Sequence, residues 1–182
     1  MNRTRPLLVP PAAMRFEGLQ GLRLVAAFMV VLTHATFFIS TRLTDAHGVW
    51  EGGAQGVNIF FVISGFVMYL SAQPLIGRTD AFGTFALARI IRIVPLYWAL
   101  NVLKIAQILA IPSLALANPT WSNIVLSMLF IPSRNADGLI ETFYGVGWTL
   151  NFEMFFYLLV GLALWWRISI LGLVTPVLLA FA

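Results

Sequence analysis

The hydrophobic residues of this chain are gathered into long runs rather than alternating singly with polar ones. Residues 22–39, 57–72, 93–111 and 148–166 are each largely apolar. About 20 helical residues, rising 1.5 Å each, cross a hydrocarbon core roughly 30 Å thick, so runs of this kind predict transmembrane helices. The second run is slightly short. Residues 121–131 form a shorter run closed by Pro132. A straight helix of that length does not cross a bilayer comfortably, so either flanking residues extend the span or the segment is re-entrant. Residues 168–182 begin another run with no closing polar flank, which reads as part of a longer chain. The expected fold is all-α, a polytopic transmembrane helix bundle with about five to six spans.

Composition supports this reading. The chain is 60% hydrophobic and 10% charged, with a mean hydropathy of +0.90. One soluble core could not hide that much apolar surface in a chain of this size. The net charge of +4 comes mainly from arginines, placed largely in the N-terminal segment and in the stretch 73–92. That pattern fits cytoplasmic positive charge, whereas nucleic-acid binding would need a continuous basic face. Arg3, Arg5, Arg15 and Arg23 precede the first span and orient its N-terminus towards the cytoplasm. Pro6, Pro10 and Pro11 break the only apolar patch before Arg15, too early for a signal peptide, so residues 1–14 read as a disordered cytoplasmic tail ahead of a membrane domain over 15–182. Cysteine is absent, which removes disulfides, cysteine metal sites and a cysteine nucleophile.

Ionisable groups inside apolar runs are costly unless they face a protein interior or an aqueous cavity, so each is a candidate for function. Arg23 and His34 are separated by ten residues, nine of them apolar. Eleven helical positions make about three turns, which puts the two on nearly one face, roughly 16 Å apart along the axis. The blander alternative has Arg23 snorkelling to headgroups and His34 as a hydrogen-bonded packing residue. Asn58, Ser64 and Gly65 interrupt the second run, as small and polar residues do where membrane helices approach each other. A hydrolase-type nucleophile elbow would need glycine two before Ser64, where Val62 stands.

Arg89 and Arg92 are three apart just ahead of the third run, hence neighbours on one helical face. Two readings are open for them: forked donors for a phosphate-bearing ligand, or a topology anchor. Lys104 lies well inside the third run, at a depth similar to that of His34, and is expected to face a polar interior with it. Glu153 lies about one turn into the last long run, with Tyr157 at i+4 and Asn151 nearby. An acid there needs a partner or a job. If every run spans, it sits near the depth of Arg23, and both an Arg23–Glu153 ion pair and a general-base or substrate-orienting role are open. His47, in the loop 40–56, reads as a solvated residue.

Four blocks in order carry a family resemblance: Leu19-Gln-Gly-Leu-Arg23 with ten residues to His34; Gly56-Val-Asn-Ile-Phe-Phe-Val-Ile-Ser-Gly-Phe66; Arg89-Ile-Ile-Arg92-Ile-Val-Pro95-Leu-Tyr97-Trp98; and Trp148-Thr-Leu-Asn-Phe-Glu153-Met-Phe-Phe-Tyr157. Together they resemble the membrane acyltransferase-3 family, closest to its exopolysaccharide-modifying members in bacteria. The resemblance implies a cell inner (plasma) membrane enzyme of about ten helices that moves an acyl group, usually acetyl from acetyl-CoA, onto a sugar hydroxyl of an envelope or secreted polysaccharide. It implies that Arg23 and His34 correspond to the family's paired arginine and histidine, Arg89 and Arg92 to its basic pair, and Glu153 to its acid in an aromatic-rich helix. The expected partners are acyl-CoA, a polysaccharide or lipid-linked sugar acceptor and the lipid bilayer, with no nucleic acid and no metal.

Those residue types suit the chemistry. A neutral histidine takes the proton of an attacking hydroxyl or carries the acyl group itself, so His34 is the expected base or acyl carrier, with Glu153 as a second catalytic candidate. Arg23, Arg89, Arg92 and Lys104 are the candidates for binding the acyl donor or substrate, through its phosphates or the developing oxyanion. Two other classes compete: a non-enzymatic transporter or flippase-like partner of polysaccharide export with Arg23, His34, Lys104 and Glu153 lining a polar conduit, and an inactive helical scaffold.

Overall fold

A computed structural model describes residues 17–43, 48–112, 120–134, 138, 140 and 142–180. The expected tail 1–14 and His47 lie outside the described residues. Six α-helices follow in chain order: α1 (Glu17–Arg42), α2 (Gly53–Ala72), α3 (Ala81–Ala110), α4 (Trp121–Met128), α5 (Trp148–Trp166) and α6 (Ile170–Leu179). Among the described residues there is no strand, only an isolated bridge between Arg134 and Ile140. The all-α expectation holds. Four helices, α1, α2, α3 and α5, are long and apolar enough to cross a membrane. The eight residues of α4 rise about 12 Å and the ten of α6 about 15 Å, both short of a bilayer core.

Contacts divide the chain into two compact units, residues 1–63 and 64–182. In the first, the start of α2 lies directly on α1. A Cβ built on Gly56 would come within 2.7 Å of the Ala26 carbonyl oxygen, and one on Gly53 within 2.3 Å of Thr33 Oγ1. Only glycine lets the backbones meet so closely, the usual device of membrane helices that pack without a hydrophobic driving force. Thr33 Oγ1 donates to the Trp50 carbonyl (2.7 Å) and accepts from Gly53 N–H (2.8 Å), while Thr36 Oγ1 accepts from Trp50 N–H (3.0 Å). These bonds tie the entry to α2 onto the fifth and sixth turns of α1.

In the second unit, α3 and α5 form the central pair and run antiparallel. Phe82 meets Trp165 edge-on and closes over Gly161, Phe85 meets Tyr157, and Tyr97 abuts Gly147 at the start of α5. The buried residues of α3 recur at every fourth position: Ala81, Phe85, Arg89, Ile93, Tyr97 and Asn101. That single stripe explains why the helix begins at residue 81, twelve residues before the apolar run. Pro95, expected in a first turn, is therefore inside a helix, where it removes one i to i−4 bond. α6 folds back on α5 through Leu159, Val160, Ala163, Leu164, Ile170 and Val174. Arg167 makes the intervening turn in left-handed backbone, φ 56°, and Ser169 caps α6 by accepting from Gly172 N–H.

Candidate functional site

Arg23 and His34 both lie on α1, in the first unit. The helix is continuous between them, so the expected face-sharing holds, with an offset of about 20° and an axial separation of roughly 16 Å. Arg23 is half-buried and His34 exposed. The residue before His34 is Thr33, which is pinned to Trp50 and Gly53, so the turn carrying the imidazole is held in place. Sequence reasoning missed Thr33 and Thr36, whose hydroxyls stand in no apolar-versus-charged contrast with their neighbours.

The second unit holds Arg89, Arg92, Lys104 and Glu153. Glu153 Oε1 accepts two hydroxyl hydrogen bonds, from Tyr157 one turn along the same helix and from Ser64 of α2 at 3.2 Å. Serines and threonines within membrane helices ordinarily bond their own preceding turn, as Thr36 does to Leu32, Thr41 to Phe37 and Ser71 to Met68 here. Ser64 instead reaches across to another helix. Its role was not legible beside Gly65, where helix packing was the simpler account.

Arg89 is the buried charge of this unit, 8% exposed in the stripe facing α5. Its guanidinium donates to Ser71 Oγ and lies 5.1 Å from the Phe85 ring centre and 5.4 Å from that of Tyr157. Aromatic faces attract such a cation, and more strongly in a desolvated place. Its Nε is buried and makes no hydrogen bond among the described residues, and Asn151 Oδ1 is likewise buried and unsatisfied. Arg92, by contrast, is exposed. The two arginines, three apart on α3, thus differ in burial, because burial follows the every-fourth stripe and Arg92 falls outside it.

Lys104 belongs to a different neighbourhood. Its ammonium donates to the Phe143 carbonyl and lies 4.9 Å and 5.8 Å from the Phe143 and Tyr144 ring centres. Around it run Tyr97 OH to Ser127 Oγ (2.8 Å), Phe143 N–H to Ser127 Oγ (3.0 Å) and Asn101 Nδ2 to the Tyr97 carbonyl (2.8 Å). Asn101 and Ser127 are fully buried. This network fastens α4 and the approach to α5 onto the last part of α3. At the other end of α5, a cleft of about 330 Å³ is lined by Arg78, Phe82, Trp165 and Arg167 among others. There Arg78 forms a forked pair with Asp80 at 2.7 and 2.9 Å, which holds the Asp80 carboxyl down at about 2. Among the described residues no cluster of histidine and acidic side chains suits a metal ion.

The structure thus gathers three of the four sequence blocks, through Ser64, Arg89, and Glu153 with Tyr157, around one carboxylate. A protein-family profile described as an acyltransferase domain matches residues 16–182. The exopolysaccharide production protein ExoZ of Rhizobium meliloti (strain 1021) is 37% identical over 127 residues, 66% of this chain and 38% of ExoZ. The acyltransferase MdmB of Streptomyces mycarofaciens is 31% identical over 171 residues, 88% of this chain and 41% of MdmB. The chain therefore spans about two fifths of the length of these relatives. No solved structure matches it. Since the matched residues take in all six helices and every one of the four blocks, the chain belongs to the acyltransferase-3 family.

Proposed function

We propose that the protein to which this chain belongs is a multi-pass inner-membrane O-acyltransferase. It moves an acyl group, acetyl from acetyl-CoA, to a hydroxyl of an envelope or secreted polysaccharide or its lipid-linked precursor. The observation that carries the reading is the intramembrane cluster of Glu153, Tyr157, Ser64 and Arg89, assembled from blocks that lie far apart in a chain of this family. The similarity to ExoZ, an exopolysaccharide production protein, supports a polysaccharide acceptor. The arginine-rich N-terminal segment supports a cytoplasmic N-terminus.

In this reaction the acceptor hydroxyl oxygen attacks the thioester carbonyl carbon, the C–S bond breaks, and the coenzyme A thiolate leaves while His34 takes the hydroxyl proton. Alternatively His34 receives the acyl group first and passes it on. Arg92, exposed at the surface of α3, offers a forked donor to coenzyme A phosphates, and Arg23 is a second donor for the acyl-donor ligand. Glu153 orients the acceptor or serves as an auxiliary base. The test uses membranes containing the full-length protein, radiolabelled acetyl-CoA and a crude polysaccharide precursor. Wild type should label the sugar fraction and His34→Ala, equally inserted, should not. Wild-type labelling by His34→Ala would refute the histidine role. No label from well-inserted wild type across several donors and acceptors would instead favour an export conduit, which moves substrate without consuming acyl donor.

A further inference from the structure

A carboxylate at the end of a glutamate side chain turns freely about its last torsion, which is broad and roughly two-fold, so an unsupported Glu presents both oxygens in many directions. Glu153 is not unsupported. Oε1 receives the hydroxyls of Tyr157 and Ser64, from two different helices, while Oε2 makes no hydrogen bond among the described residues and the side chain is half-buried. Two donors on one oxygen fix the carboxylate plane and leave the second oxygen as the acceptor that a ligand can use. Tyr157 is itself fixed. It is 7% exposed, its ring meets Phe85 edge-on at 6.2 Å, and the Arg89 guanidinium lies 5.4 Å from its centre. Arg89 is in turn held by Ser71. Support thus passes from Ser71 to Arg89, to the Tyr157 ring, and through its hydroxyl to Glu153.

We propose that Tyr157 and Ser64 are positioning residues that hold Glu153 with Oε2 presented to the acceptor sugar hydroxyl, and that Arg89 acts through Tyr157 rather than on the acyl donor. The inference rests on Glu153 being a residue of the acyl-transfer site. A purely structural alternative exists: the hydroxyls merely satisfy a half-buried carboxylate. The two differ in kinetics, because loss of orientation lowers turnover while leaving donor binding alone.

Tyr157→Phe keeps the ring, its contact with Phe85 and the cation above it, and removes only the hydroxyl, so insertion and thermal stability should stay close to wild type. In full-length protein, Tyr157→Phe and Ser64→Ala should each lower kcat for acetyl transfer, Tyr157→Phe by roughly ten- to hundredfold, with KM for acetyl-CoA within about twofold. Glu153→Gln should lower it at least as far, and adding Tyr157→Phe to Glu153→Gln should cost little more, since residues acting as one unit are not additive. Unchanged kcat in Tyr157→Phe, with Glu153→Gln inactive, would overturn the positioning role while leaving Glu153 in the site. Full activity in Glu153→Gln would remove Glu153 from the site and the inference with it. Equal, additive losses in the double variant would also overturn it, because they would show the hydroxyl acting independently of the carboxylate.

Discussion

Lys104 offers a sharp test of how intramembrane charge is used in this chain. Its sequence position made it a candidate ligand-binding group, yet its ammonium caps the Phe143 carbonyl and faces two aromatic rings. In Lys104→Met the stem still packs, but the charge-assisted bond is lost and the Phe143 carbonyl loses its donor. Hydrogen bonds to charged groups contribute about 1.5–3 kcal/mol net. Cation–π contact adds about 0.5–1 kcal/mol at partly exposed sites. Relief from holding an ammonium away from water offsets part of both. A net loss of about 2 kcal/mol follows, read as a fall in Tm of a few degrees. Thermal unfolding of the purified protein in detergent, read by loss of the monodisperse peak in size-exclusion chromatography, measures it. Faster proteolysis near Phe143 and Tyr144 should accompany the loss, because those are residues the lysine contacts. An unchanged Tm together with lost acetyl transfer would refute the reasoning and return Lys104 to the substrate site.

The two arginines of α3 should separate in the same assays. Arg89→Met should lower Tm and the yield of inserted protein, since it strips Ser71 and the Phe85 and Tyr157 rings of their common partner; Arg92→Gln should leave both near wild type and raise KM for acetyl-CoA by several-fold. The reverse pattern would reassign the pair. The Arg78–Asp80 pair predicts a pH effect of known sign. Asp80 is held at about 2 in the folded protein against an ordinary value of 3.8, chiefly by its bond to Arg78, so its contribution is present above pH 4 and lost as pH falls towards 2. Both groups are exposed, so the gap in Tm between wild type and Asp80→Asn should be small at pH 6, shrink further in high salt, and close as pH falls through and below 2. A gap that widens on acidification would show that the pair does not form.

How much was legible in the sequence divides along a physical line. The limits of the span 148–166 are legible, because an apolar run bounded by glycines and by Trp165, Trp166 and Arg167 is a local signal. The placement of Tyr157 one turn beyond Glu153 is equally local, since helical spacing sets it, whereas the hydrogen bond between them is a finding of the structure. The start of α3, twelve residues before its apolar run, is not legible, because Arg89 and Arg92 look like a polar boundary, whereas the helix is defined by a narrow every-fourth stripe that accepts a buried arginine. The glycine contacts of Gly53 and Gly56 with α1 were equally hidden, since an approach between backbones leaves no side-chain pattern to read.

Membrane residence, helical class and the short list of polar residues inside apolar runs follow from the order of the amino acids alone, because the bilayer requires backbone bonds to be satisfied within each segment and penalises every stray charge. Which of those residues share a site is a matter of contacts across the chain. Ser64 and Glu153 are 89 positions apart, and Arg89 and Arg92, neighbours in sequence, have different surroundings. Only the packing of α3 against α5, with the end of α2 beside them, decided that one arginine supports a carboxylate through an aromatic ring while the other stays exposed, and that Lys104 fastens a loop.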